Sequence, residues 1–163
     1  MSASRRPSTN GSAPVSLGPV LDFLSLLWKL DHALQRRSKR MAREIDITSP
    51  QRLVLRIVGR FPGLHAGALA AMLHVHPSTL TGILQRLERR GWLKRRADPR
   101  DGRRALFGLT ERGRALDAAH PVTIEAALLT VVERKSSEDM AAARSVLEAL
   151  ANELESVTPA RER

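Results

Sequence analysis

The stretch from Ile47 to Leu109 is punctuated so closely that few folds can accommodate it. Ile47-Thr48-Ser49-Pro50-Gln51 is a helix start. Thr48 is placed to cap, Pro50 suits the first turn, and Gln51 stands three residues on, where it reaches back to complete a capping box. Leu53, Val54, Ile57, Val58 and Phe61 give this helix its expected buried face, and Pro62-Gly63 ends it. A short helix follows, with Leu69, Met72 and Leu73 as core positions and Ala66, Ala68, Ala70 and Ala71 permitting close packing. His74-Val75-His76-Pro77 makes a tight connection to a third helix over residues 77–90, stopped by Gly91. Residues 92–96 and 104–109 then read as two strands. Pro99 and the Asp101-Gly102 turn signal between them predict a β-hairpin. Two short helices, a longer one and a basic hairpin form the order of a winged helix-turn-helix.

The flanks have a different character. Residues 1–14 are Ser, Pro, Gly, Asn and Arg without periodicity and read as a disordered tail. Residues 17–44 carry a long helical pattern, in which Val20, Leu24, Leu27, Leu34, Met41 and Ile45 recur at steps of three, four or seven. Leu17, Leu21, Phe23 and Trp28 widen that stripe, so the first half is apolar on more than one face and must pack against two things, its own domain and another chain. After the hairpin, Thr110 caps a helix expected to kink at Pro121 and to continue to about Glu133. Ser136 or Ser137 caps a last helix striped by Met140, Val146, Leu147, Leu150 and Leu154. The expected organisation is a tail (1–14), an N-terminal dimerisation helix (15–46), a winged helix-turn-helix lobe (47–110), C-terminal dimerisation helices (111–157) and a tail (158–163). The fold class is mainly α with a small β-hairpin wing.

Charge says where the work is done. The chain of 163 residues has a formal net charge of +10 and a pI near 11.5, which points to a polyanion as partner. Residues 49–109 hold twelve basic and three acidic residues, and residues 110–163 hold seven basic and ten acidic ones. One element therefore faces the polyanion. On the helix of residues 77–90, Leu80, Ile83, Leu84 and Leu87 share one side. Ser78, Thr81, Gly82, Gln85 and Arg89 project from the other, with Arg86 beside them. Gly82 in mid-helix costs about 1 kcal/mol relative to Ala, which the close approach of another surface would justify.

Other classes lack their signatures. With no Cys there is no disulfide framework or thiolate chemistry. No apolar run approaches a membrane span, and the N-terminus lacks the apolar segment of a secretory signal, so a cytoplasmic, nucleoid-associated location is expected. No Gly-rich phosphate loop, Gly-x-Ser-x-Gly or His-Glu-x-x-His is present, so the chain reads as a binding protein and not an enzyme.

The motifs Ile47-Thr48-x-x-Gln51-x-x-x-Leu55, Leu69-Ala70, Pro77-Ser78-Thr79-Leu80-Thr81, Leu87-Glu88-x-x-Gly91 and Arg96-x-Asp98-Pro99-x-Asp101-x-Arg103-x-x-x-Phe107-x-Leu109-Thr110-x-x-Gly113 together resemble the MarR (multiple antibiotic resistance regulator) family. The resemblance covers residues 17–157, and its Asp-x-Arg wing followed by Leu-Thr is the most specific part. Two positions depart from the pattern: Gly82 stands where many relatives carry a polar or basic residue, and His76 where Ser or Asp is more usual.

The resemblance implies a homodimeric bacterial transcription factor on a pseudo-palindromic operator, most often a repressor of nearby genes relieved by a small molecule. Ser78, Thr79, Thr81, Gln85, Arg86 and Arg89 would face the major groove. Arg100, Arg103 and Arg104 would serve the wing, with Asp101 orienting Arg103 and Arg103 reaching the minor groove. Arg52, Arg56 and Arg60 divide between phosphate contact and a solvated face. The implied effector is anionic or phenolic, in a cleft to which Trp28, His32 and Met41 contribute; with aromatics at 3% and no Tyr that cleft would be mainly aliphatic. Some relatives bind zinc, but Asp31, His32 and His120 offer only one His on each helix, so no metal is expected. The rival reading is a sequence-nonspecific architectural DNA-binding protein, which would share the charge but need no base-reading face.

Overall fold

A computed structural model describes residues 17–156 of the chain. The tails expected at residues 1–14 and 158–163 lie outside those residues. The chain falls into two compact units, one up to Arg36 and one from Arg37 onward. The first is the leading part of helix α1 (Pro19–Glu44), where Val20, Leu21, Leu24, Leu26 and Trp28 are each more than half exposed.

The second unit carries the end of α1 and then α2 (Ser49–Arg60), α3 (Ala66–Leu73), α4 (Pro77–Arg89), β1 (Leu93–Ala97), β2 (Ala105–Leu109), α5 (Glu111–Asp117), α6 (Ile124–Val132) and α7 (Ser137–Ser156). Its core joins Met41 and Ile47 to Val54, Leu55 and Val58 of α2, Leu69 of α3, and Leu80, Leu84 and Leu87 of α4. Trp92, Phe107 and Leu109 close it from the hairpin side. Each fully buried aliphatic side chain contributes about 1.5–3 kcal/mol.

Local chemistry sets the boundaries. The Gln51 side chain accepts from Thr48 N at 3.1 Å, completing the capping box that opens α2. His74, in the left-handed region at φ 50°, closes α3, and its N–H bonds back to the carbonyls of Ala70 and Ala71. His76 caps α4: its Nδ1 accepts from Ser78 N at 3.3 Å, the work Ser or Asp would otherwise do. Gly91, at φ 69°, turns the chain into β1. β1 and β2 pair antiparallel from Leu93↔Leu109 to Ala97↔Ala105. His65 adds a bridge to Leu106 beside them, a third edge to the wing that the sequence pattern does not announce.

Several expectations need correction. On α2, Leu55 is buried, whereas Leu53 and Phe61 are about half exposed and Arg52 takes an interior position. On α3, Met72 faces out at 46% exposure. The helix beyond Thr110 does not kink at Pro121; it stops at Asp117, and a new helix starts at Ile124. Pro121 disfavours helical geometry at the preceding residue. Val122 is drawn into the core, and Thr123 caps the new helix by accepting from Ala126 N. Of the two serines expected at the start of the last helix, Ser136 caps α7, accepting from Asp139 N at 3.0 Å.

Candidate nucleic-acid interface

Helix α4 is amphipathic in the sense the sequence predicts. Leu80, Ile83, Leu84 and Leu87 are all buried against α2 and α3. Ser78, Thr79, Thr81, Gln85, Arg86 and Arg89 are all exposed on the opposite side. The hydroxyls near its start are oriented locally: Ser78 Oγ lies 2.7 Å from His76 Nδ1, and Thr81 Oγ1 donates to Pro77 O at 2.8 Å. Gln85, Arg86 and Arg89 carry no side-chain hydrogen bond or ion pair among the described residues. From Ser78 to Arg89 the face spans about 16 Å of helix, enough to follow a major groove.

The wing tip is organised by two aspartates. Asp98 Oδ1 accepts from Arg100 N at 2.9 Å, and Asp101 Oδ1 accepts from Arg103 N at 3.1 Å. The Asp101 carboxylate also faces both guanidiniums, Arg104 Nε at 3.2 Å and Arg103 Nε at 3.5 Å. Asp101 faces Arg103 but lies at shorter range to Arg104. Arg103 is left 96% exposed at the tip, its backbone N–H and Nε facing Asp101 and its terminal nitrogens without a partner among the described residues.

Helix and wing meet in one place. A cavity of about 350 Å³ is lined by Thr81, Gln85 and Glu88 of α4, by Arg103 and Arg104 of the wing, and by Arg95 and His65. Sequence reasoning passed over Arg95. Its signal was strand alternation: every second residue of β1 from Leu93 shares the face that carries Arg95 and Ala97.

The arginines of α2 have another task. Arg52, 2% exposed, donates from Nε to Glu125 Oε1 at 2.6 Å and from its guanidinium to the carbonyls of Leu116 and Ala118. It thereby binds the C-terminal end of α5, where orphan carbonyls and the helix dipole favour a cation. Arg56 Nη1 donates to Asp117 O and pairs with Asp117 Oδ1 at 3.1 Å. Arg52 and Arg56, which the sequence leaves between phosphate contact and a solvated face, brace α2 against the segment joining α5 and α6. Burial raises the Glu125 pKa, but the Arg52 hydrogen bond, its own backbone N–H and the two guanidinium charges outweigh that and hold the carboxyl below its ordinary value.

Residues 47–105 match the sequence profile of the MarR family. The transcriptional regulator HosA of Escherichia coli O111:H- is 35% identical over 96 residues, which is 58% of this chain and 71% of that protein. The regulator TtmR of Methylorubrum extorquens is 32% identical over 108 residues, 66% of this chain and 54% of TtmR, so the chain spans about half of that longer relative. The chain belongs to the MarR family. Two solved structures share its fold. MepR of S. aureus in its DNA-binding conformation superposes with a TM-score of 0.67 at 25% identity, over 81% of this chain and 98% of MepR. The PcaV regulator of Streptomyces coelicolor, solved with its natural ligand, gives 0.65 at 28% identity, over 86% and 97%.

The three residues expected at an effector cleft divide. Trp28 and His32 stack with ring centroids 4.8 Å apart, and His32 Nδ1 lies 3.0 Å from Trp28 O. Met41 is wholly buried in the core, so its side chain serves packing. Among the described residues no three His, Cys, Asp or Glu side chains gather around a common point. His120 is spent on a turn, its Nδ1 accepting from Val122 N at 3.3 Å and its carbonyl from the Thr123 hydroxyl at 2.8 Å. No helix among the described residues is long and apolar enough to cross a membrane.

Proposed function

We propose that this MarR-type transcriptional regulator is a homodimeric, sequence-specific repressor acting in the cytoplasm and released from DNA by a small anionic or phenolic effector. The observation that carries the DNA reading is the exposed face of α4, where Gln85, Arg86 and Arg89 have no side-chain partner among the described residues and Gln85 shares a hollow with the wing residues Arg103 and Arg104. Ser78, Thr79, Thr81, Gln85, Arg86 and Arg89 enter the major groove, where polar side chains discriminate base edges. Arg103 reaches the adjoining minor groove, and Arg100 and Arg104 neutralise phosphates. The fold shared with MepR in its DNA-binding conformation supports this reading. The apolar residues left exposed on α1, α6 and α7 support the dimer. PcaV with its natural ligand supports an effector, toward which Trp28 and His32 remain the candidate contacts.

A footprint on the DNA flanking the gene, repeated under excess random duplex, tests the proposal. A protected site with two half-sites about 34–36 Å apart, persisting under competition and lost on adding a benzoate-type carboxylate or a phenol, is the expected result. Binding that random DNA erases completely would favour the architectural alternative.

A further inference from the structure

Gly82 lies in the middle of α4, where glycine is the poorest helix former apart from proline, and the protein itself gives no reason for it. Its backbone is not in the left-handed region; among the described residues the glycines there are Gly18, Gly63 and Gly91. Nor is it crowded: a Cβ built on Gly82 meets nothing within 4 Å. Two other helical glycines show what an internal reason looks like. A Cβ at Gly59 would lie 2.8 Å from Asp117 Oδ2, and one at Gly113 would lie 2.0 Å from Trp92 O. No described residue of this chain stands in the way of a side chain at position 82.

The place is specific. At 100° per residue, Gly82 sits about 40° from Ser78 and about 20° from Arg89, at the centre of the exposed face. It opens on a hollow of about 340 Å³ walled by Thr48, Pro50 and Gln51 at the start of α2 and by Ser78, Thr79, Ile83 and Arg86 of α4. The start of α2 offers this hollow little to hold a phosphate: Ser49 N already donates to Ser38 Oγ at 2.9 Å, and Pro50 has no N–H. The bare Gly82 backbone, the Pro50 ring and the edge of Ile83 leave an apolar floor for a small apolar group, ringed by Thr48, Gln51, Ser78, Thr79 and Arg86. On the base edges of a major groove the apolar feature is the C5-methyl of thymine.

We propose that Gly82 is a specificity-determining residue that receives a thymine C5-methyl in each half-site. The inference rests on the reading of α4 as the major-groove helix. To test it, the operator is first selected by the wild-type full chain from random duplex DNA, and each thymine is then replaced by deoxyuridine, which lacks only the methyl. Loss of the contacted methyl weakens wild-type binding about fourfold per half-site. Gly82→Ala raises Tm by about 2–4 °C, leaves random-DNA affinity unchanged and weakens operator binding about tenfold. That loss is recovered on the operator carrying deoxyuridine at the same position, because the added protein methyl replaces the missing DNA methyl.

Three results overturn the proposal: unchanged operator affinity in Gly82→Ala, an equal loss on operator and random DNA, or a loss that no deoxyuridine position relieves. A fall in Tm overturns it as well, since the glycine would then serve the fold. If any of these occurs while Gln85→Ala still weakens operator binding and spares random-DNA binding, only the Gly82 inference falls. If the wild type selects no sequence, the reading of α4 falls with it.

Discussion

At the scale of single residues, Gln85, Arg103 and Arg100 are all exposed side chains of one basic surface, yet their surroundings assign them different partners. Gln85 has both a donor and an acceptor and lies on the open face of α4, so its value depends on which base edge it meets. Gln85→Ala should cost about 1–3 kcal/mol on the operator and little on random DNA. Arg103 is fixed at its root by Asp101 and extends from the wing tip. A narrow minor groove attracts such a guanidinium by its potential, so Arg103→Ala should weaken operator binding and reduce the preference for A·T flanks. Arg100, whose backbone N–H is held by Asp98, is a phosphate contact in the proposed complex; Arg100→Ala should then weaken operator and random DNA alike and lower the salt slope by about one unit. Titrations of the three variants at several salt concentrations separate these outcomes. Equal losses on operator and random DNA for Gln85→Ala would remove the base-reading role.

At the scale of elements, α4 was legible because its partners are its neighbours: apolar residues at helical spacing face α2 and α3, and no remote contact overrides the pattern. The brace on α2 was not legible. Arg52 reads from sequence as a surface cation, and its burial depends on Glu125 and the end of α5, more than sixty positions away. The same contact explains why one kinked helix became α5 and α6, since Arg52 satisfies the carbonyls that the break leaves open. The brace should show in acid. The Glu125 carboxyl sits below its ordinary value in the folded chain, so the unfolded chain takes up its proton first as pH falls. The stabilisation is complete above the usual glutamate pKa near ~4.3 and is lost as pH drops through the folded value. Thermal melts of Glu125→Gln should therefore show a lower Tm at neutral pH, reflecting a loss of about 1.5–3 kcal/mol for a hydrogen bond between charged groups, and a shallower decline on acidification than the wild type. Parallel pH profiles would show that Glu125 does not carry this dependence. The junction between wing and α5 is equally strict. Gly113 N donates to Thr110 Oγ1 at 3.0 Å, and a Cβ there would strike the Trp92 carbonyl. Gly113→Ala should destabilise by about 3 kcal/mol, read as a fall in the chemical-denaturation midpoint.

At the scale of the molecule, two surfaces have opposite chemistry. The lobe of residues 49–109 is strongly basic, whereas residues 110–163 carry a net negative charge and would be repelled by the same DNA. That acidic third exposes Leu128, Leu129, Val131 and Val132 on α6 and Val146, Leu147 and Leu154 on α7, and the first unit exposes Val20, Leu24, Leu26 and Trp28. So much apolar surface far exceeds what a soluble monomer usually leaves open, and a two-fold symmetric partner is the commonest way to cover it. A dimer also gives the winged lobe its reach: two half-sites held by one particle bind with the effective concentration of a tethered pair, which one lobe alone lacks. The full chain should therefore sediment at about twice its 18.0 kDa mass at micromolar concentration, with a Tm that rises with protein concentration. Leu24→Glu should shift the equilibrium toward monomer and weaken operator binding far more than random-DNA binding, because only the operator rewards joint occupancy. A folded 18.0 kDa species at micromolar concentration in the wild type, binding the operator with the same affinity as Leu24→Glu, would show that each lobe acts alone and that the exposed apolar faces serve another partner.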